Sequence, residues 1–137
     1  MFDDALYARL AANGDLCALL NTFNDRPAIF SDVAHKDATR PYVVFMIDRE
    51  ESDEKAVDSF TVDIDYYEYT DSRKNARDVV EAIEYDLDMA QLTSDRYQNI
   101  RFFKPSSTPV IESEIKAVHY NIRFFVRATR KKWIDQL

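Results

Sequence analysis

The feature that most constrains this chain is a change of hydrophobic period within residues 59–90. Phe60, Val62 and Ile64 alternate with polar residues, the pattern of a half-buried strand. From Ala76 onward the apolar residues recur every three or four positions, which places them on one helical stripe. Folding the helix back over the strand buries both apolar surfaces, so this pair of elements predicts the core. The predicted stripe comprises Ala76, Val79, Val80, Ile83, Leu87 and Ala90.

The rest of the chain supplies one more main helix and three more main strands. The first residues have helical spacing up to Gly14, and strands are predicted over residues 42–47, 97–103 and 120–128. An acidic turn over residues 48–55 joins two strands, and the proline- and hydroxyl-rich residues 104–114 predict a flexible loop. We therefore expect a single α+β domain over residues 1–137, with an antiparallel sheet and two main helices packed on one face.

Composition excludes several classes of function. The chain has a single glycine, Gly14, so it cannot form a glycine-rich phosphate loop, a dinucleotide fingerprint or a GxSxG nucleophile turn. A net charge of −7 argues against general affinity for DNA or anionic membranes. The lone Cys17 cannot form an internal disulfide, and no apolar run reaches membrane-spanning length, so we expect a soluble chain made in a reducing cytoplasm.

Candidate chemistry is sparse. Asp63 and Asp65 project from the same face of one strand, where paired carboxylates can transfer protons or hold a divalent cation. A hydrolase using this pair has little support, because carboxylates on the far side of a core strand are usually solvated or paired with arginine. His35 and His119 lack partners at metal-ligand spacing, and Cys17 fits a small core residue. We expect no catalytic residue, no cofactor and no metal.

The sheet face that points away from the helices is richer in aromatic and charged residues. Aromatic side chains interleaved with arginine are typical of protein–protein contacts, so this face predicts an interface. The acidic pair and Arg123/Arg127 could join unlike surfaces of neighbouring subunits, or could lie on adjacent strands of one subunit and neutralise each other. The candidate interface residues are Asp63, Asp65, Tyr67, Tyr69, Arg123, Phe125 and Arg127.

Four segments, taken in order, resemble the tail-completion, or head-to-tail joining, proteins of long-tailed phages. They read ALYARLAANGDLCALL, PYVVF, FTVDIDYYEYTDSRKNARDVVEAIEYDL and HYNIRFFVRAT. Each motif alone is largely a helix or strand pattern, whereas their order and spacing over residues 2–133 are specific.

The resemblance implies a structural α+β subunit without catalytic residues. It implies assembly of copies of this chain, as a ring and most simply a hexamer, at the joint between the tail tube and the head connector. DNA would pass through the ring without specific binding, and no membrane is involved. The protein would belong to the virion of a phage or prophage and occupy the bacterial cytoplasm during assembly. The alternative is a small non-catalytic adaptor or regulatory protein that binds one partner through its aromatic-rich sheet face.

Overall fold

A computed structural model describes residues 1–50, 56–112 and 116–131. The helices of this part of the chain are α1 (Asp3–Ala11), α2 (Gly14–Cys17) and α3 (Lys74–Leu87). The strands are β1 (Thr22–Phe23), β2 (Arg26–Pro27), β3 (Ile29–Ser31), β4 (Tyr42–Glu50), β5 (Val57–Tyr69), β6 (Gln91–Leu92), β7 (Tyr97–Val110) and β8 (Ala117–Arg130). None of the described helices is both long and apolar enough to cross a membrane.

The change of period in residues 59–90 is the boundary between β5 and α3. On β5, Ile64 and Tyr66 are fully buried, as the alternation predicted. On α3, the predicted stripe is also inward, with Val79 and Ile83 fully buried. The prediction of a strand followed by an amphipathic helix is confirmed.

Six strands form one mixed sheet. Their order is β3-β4-β5-β8-β7-β6, and β1 and β2 form a separate pair. The prediction of an entirely antiparallel sheet is wrong, because β3 runs parallel to β4, with Ile29 opposite Val43. Residues 32–41 bring the chain back to the level at which β3 began, so Tyr42 enters β4 in the same direction. Residues 21–40 have no hydrophobic period, so the direction of β3 could not be predicted from the sequence.

One hydrophobic core contains residues from both longer helices and from the sheet. Leu6 and Leu10 of α1 belong to it together with the stripe of α3 and the inward residues of β4, β5, β7 and β8. The Phe2 ring, just before α1, meets Phe60 of β5 and Phe102 of β7 edge-on, with centroids 5.1 and 6.2 Å apart. Edge-to-face contacts of this kind add to the stabilisation from burial.

Strand β7 is longer than predicted. The prediction of a flexible loop over residues 104–114 is wrong for the first part of this segment, because β7 continues to Val110 and stays paired with β8. The ladder shifts register after Phe103, where Lys104 has a φ of 51° and is followed by Pro105. A bulge tolerates a proline that cannot donate a ladder hydrogen bond, so proline does not end the strand here.

The predicted acidic turn lies partly outside the described residues. Asp48 and Glu50 end β4, and the pairing of Glu50 with Ser59 confirms that this turn connects two antiparallel strands. Residues 51–55 of the turn, and residues 113–115 of the predicted loop, lie outside the part that the structure describes.

Candidate interface on the outward sheet face

We call the outward face the side chains of β4, β5, β8 and β7 that alternate with those of the hydrophobic core. The four strands are paired, with a bulge in β7 after Phe103, so these side chains form rows across the sheet. From one end to the other the rows are Tyr42, Tyr67, His119 and Val110; Val44, Asp65, Asn121 and Thr108; Met46, Asp63, Arg123 and Ser106; and Asp48, Thr61, Phe125 and Phe103.

Asp63 and Arg123 form an ion pair within one subunit. The Nε of Arg123 donates to Oδ1 of Asp63 at 2.9 Å, and Nη2 donates to Oδ2 at 3.2 Å. Such a fork is a strong form of charge-assisted hydrogen bond. These bonds, together with the carboxylate's charge, raise the pKa of the Arg123 guanidinium. Of the two arrangements that the sequence left open, the structure contains the one on adjacent strands of one subunit.

His119 lies between two carboxylates. Its Nε2 is 2.7 Å from Oδ1 of Asp65, and its Nδ1 is 3.2 Å from Oε1 of Glu112. The Tyr67 ring stacks on the imidazole, with centroids 4.2 Å apart and planes 25° from parallel. The sequence shows no metal-ligand spacing around His119, and it does not indicate these contacts, because the partners come from another strand and from the segment after β7.

Arg40 covers the aromatic end of the outward face. Its guanidinium carbon is 4.2 Å from the ring centroid of Tyr69 and 5.2 Å from that of Tyr67. Both distances are within the range of cation–π attraction. Burial, and next the charge of Asp65, raise the pKa of Tyr67. The sequence offered no signal for Arg40, since it ends a stretch without hydrophobic period.

Phe125 and Arg127 lie toward the other end of the face. Phe125 is 46% exposed, and Phe103 is its register partner on β7. The structure therefore groups Asp63, Asp65 and Tyr67 with their contacts. Phe125 lies in the row next to that of Asp63, and Arg127 lies one row further on. The role of all these residues as an interface stays a prediction.

A buried carboxylate on the inward side was missed by the sequence reasoning. Asp58 is 1% exposed, and its Oδ2 accepts a 2.7 Å hydrogen bond from the Tyr97 hydroxyl. Its Oδ1 lies 3.2 Å from Nη2 of Arg49, and the Nε of Arg130 is 3.9 Å from Oδ2. Burial, and next the hydrogen bond to this carboxylate, raise the pKa of Tyr97. The alternation of β5 could have indicated it, because Asp58 is two residues before Phe60 and therefore lies on the same, inward side of the strand.

The candidate chemical groups have ordinary structural surroundings. Among the described residues, no three His, Cys, Asp or Glu side chains are placed to hold a metal ion together. Asn121 donates to Oδ1 of both Asp63 and Asp65, at 3.1 and 3.3 Å. Cys17 packs against the core, and burial raises the pKa of its thiol. A raised thiol pKa disfavours the nucleophilic thiolate.

The comparisons with known proteins agree with the resemblance carried by the motifs. The family described as "Tail completion protein gp17" matches residues 4–127. A solved structure described as "Virion of native gene transfer agent (GTA) particle" contains a similar chain, with 19% identity, a TM-score of 0.63, and coverage of 93% of this chain and 92% of that one. A second solved chain, whose name states no function, has 10% identity and a TM-score of 0.68, with 93% of each chain covered.

No curated protein matches the sequence. Identities as low as those of the two solved chains establish a shared fold, whereas the family match covers most of the sequence. The chain therefore belongs to the tail completion protein family, and it is a structural protein of the phage tail.

Proposed function

We propose that this protein completes the phage tail and joins it to the head connector, and that it does so as a ring, most simply a hexamer. The observation that carries the proposal is the family match over residues 4–127. The shared fold with a chain of a gene transfer agent virion supports a place in an assembled particle. The partners are other copies of this chain, the head connector and the tail tube.

The proposed role is structural and not catalytic. The Asp63/Asp65 pair was the main candidate for proton transfer, and both carboxylates are already engaged. Asp63 is held by Arg123, and Asp65 is held by His119 and Asn121. Each carboxylate is thus a partner in a contact between neighbouring strands of the sheet, which supports a structural role for the pair.

The proposed contact surface is the outward face together with the sheet edges. We propose that α1 and α3 both cover the opposite face, which is supported by the core that they share with the inward sheet residues. Large side chains remain exposed on the outward face, with Met46 at 42% and Tyr69 at 60%. Aromatic residues and arginine are enriched in protein interfaces, and methionine is too.

The internal Asp63–Arg123 pair changes which groups can join subunits. A closed ring needs two unlike, complementary patches on every subunit. Because these two charges already neutralise each other within the subunit, apolar and aromatic side chains are better candidates for the patches. Arg123 keeps an exposed edge, with 52% of its side chain accessible, and can contribute at the rim of a contact.

The net charge of −7 supports the proposal that DNA passes the ring without specific binding. Like charges on protein and phosphate repel each other, so an acidic ring does not retain the duplex. Assembly would take place in the bacterial cytoplasm, and the finished protein would remain at the head–tail joint of the virion. The same role applies to an active phage and to a prophage.

Complementation tests the proposal. Particles made without this protein should accumulate as filled heads and separate tails, and adding the purified wild-type protein should produce joined, infectious particles. A matched pair of variants sharpens the test: Phe125→Asp alters the outward face, whereas Tyr85→Asp alters the 91% exposed Tyr85 of α3. We expect the first variant to fail and the second to join heads to tails. Joined infectious particles in the complete absence of the protein would rule out the proposed function.

A further inference from the structure

An apolar groove lies on the outward face at the end that contains Phe125. Its volume is about 430 Å³. The rings of Phe103 and Phe125, register partners on β7 and β8, contribute to its lining. Ser59 and Glu50 line it as well, together with the basic residues Lys104 and Arg127. Two phenylalanines beside an open groove expose apolar surface that a docked side chain could remove from water.

The shape of this groove depends on the bulge in β7. Lys104 adopts a φ of 51° at the register shift, a left-handed conformation that costs free energy for a residue with a Cβ. Bulges in sheets commonly redirect a side chain at a functional position. Here the bulge immediately follows Phe103, so it sets how this residue and Lys104 border the groove.

An apolar projection lies at the other end of the same pair of strands. Ile111, the residue after β7, is 97% exposed, and the neighbouring Val110 is 38% exposed. The next residue is the acidic Glu112, whose Oε1 lies 3.2 Å from Nδ1 of His119. An isoleucine that is almost completely solvated gains nothing from the fold of its own subunit, so its burial is available to a partner.

One subunit cannot insert its own projection into its own groove. Val110 is paired with His119, whereas the groove is at Phe125, six residues further along β8 and therefore about 20 Å away. Both ends belong to one continuous β7–β8 ladder, which holds them apart. Only a second molecule can bring the two features together.

We propose that Ile111 of one subunit inserts into the Phe103/Phe125 groove of the next subunit. Two basic residues and one acidic residue, Lys104, Arg127 and Glu50, line this groove, so its border has one net positive charge beside the carboxylate of Glu112. The proposal rests on the ring proposed above and names its subunit contact. The two halves of the contact are unlike surfaces of the same chain, so each subunit has one of each to offer. Contacts of this kind close into a ring when the rotation between subunits allows it, and they do not form a two-fold dimer.

Directed crosslinking tests the contact. The chain Cys17→Ser/Ile111→Cys/Phe125→Cys has one thiol in the projection and one in the groove, and Cys17 is removed because it is the only native cysteine. Under oxidation we expect a ladder of disulfide-linked oligomers. The control Cys17→Ser/Val33→Cys/Tyr85→Cys places thiols at two other exposed positions and should yield at least about tenfold less linked product, because a specific contact raises the local thiol concentration. Equal yields from the two chains, at the highest soluble concentration, would overturn the proposal.

Single-thiol chains determine whether unlike surfaces meet. Mixing Cys17→Ser/Ile111→Cys with Cys17→Ser/Phe125→Cys should give a linked pair that contains one copy of each, in excess over either chain linked to itself. Preferential self-linking of the Ile111→Cys chain would mean a two-fold contact and would contradict the proposal. Linking to a tail protein, with none between copies of this chain in purified tails, would also contradict it.

The outcome is separable from that of the proposed function. If wild-type protein fails to join heads and tails but the crosslinked ladder forms, the head–tail role is wrong and the subunit contact stands. If Ile111→Asp joins them as well as wild type, the contact proposed here is wrong and the role at the joint stands.

Discussion

Removing the Asp58 carboxylate should strongly destabilise the folded protein. The group is 1% exposed, and the Tyr97 hydroxyl that donates to it belongs to a residue that is itself 7% exposed. Asp58→Ala leaves this hydroxyl without its partner, and it leaves the Arg49 guanidinium without its ion pair. It also leaves a small cavity beside the end of β8.

The magnitude follows from these losses. Removing one partner of a buried ionic interaction typically costs about 3–5 kcal/mol, because the other partner is left uncompensated. Arg49 is 55% exposed and regains water, which places Asp58→Ala toward the lower end, about 3 kcal/mol. Tyr97→Phe removes one hydrogen bond to a charged group, for which the usual cost is about 1.5–3 kcal/mol. We expect the double variant to cost less than the sum of the two, by about 0.5–3 kcal/mol, because both changes break the same bond.

Urea denaturation of the four chains, wild type, each single variant and the double variant, measures this cycle. Asp48→Ala is the control, since Asp48 is an exposed acid on the neighbouring strand and its loss should change stability by no more than about 0.5 kcal/mol. A cost below about 1 kcal/mol for Asp58→Ala, or strict additivity in the cycle, would refute the reasoning that this carboxylate is a buried, paired group.

Three further predictions concern stability. Ile83→Ala should lower the free energy of unfolding by about 2–5 kcal/mol because Ile83 is fully buried. Tyr85→Ala, on the exposed side of α3, should lower it by less than about 1 kcal/mol. Near-equal losses in urea titrations would contradict the assigned core face of the helix. Arg123→Ala should cost about 1 kcal/mol, since Arg123 is 52% exposed and Asn121 still donates to Asp63, whose side chain is 14% exposed. A loss above about 3 kcal/mol in calorimetry would mean that the pair behaves as a buried ion pair and is a main support of the sheet. Burial, and next the charge of Asp88, raise the pKa of Glu84, so its ionisation at neutral pH favours the unfolded chain. Glu84→Gln should therefore stabilise by a few tenths of a kcal/mol at pH 7 and not at pH 3, and the opposite pH dependence would contradict this assignment.

The strands and helices with a regular period could be predicted from the sequence. Phe60, Val62 and Ile64 alternate without a break, and Ala76 to Leu87 follow a helical stripe, because in both cases one face is buried and the other is wet. A regular spacing of apolar residues arises where one side of an element is buried and the other is exposed. The far end of β7 could not be predicted in this way, since Lys104–Val110 is largely exposed on both sides and its prolines favour a loop reading.

The residues of the candidate site could be predicted, and the Asp63–Arg123 contact was one of two arrangements that the sequence left open, but the other contacts could not be predicted. Alternation identified the outward residues of β5 and β8, which is why Asp63 and Arg123 were both named. Their pairing depends on strand register. The hydrophobic pattern determines which face a residue lies on, but a shift by two residues keeps that face, and no tight turn joins β5 to β8 to select one register. The contacts of His119 with Asp65 and Glu112, and the position of Arg40 over Tyr69, could not be predicted either, because these partners are far apart in the sequence.

The central claim is that this protein forms a ring at the joint between head and tail. Electron cryomicroscopy of intact, joined particles tests it most directly, because the fold is distinctive enough to be recognised in a density map. We expect a closed ring of this fold between the end of the tail tube and the head connector, with Ile111 of each subunit against Phe125 of the next. Density for this fold at the distal tip of the tail, or its absence from joined particles, would rule out a ring at the joint.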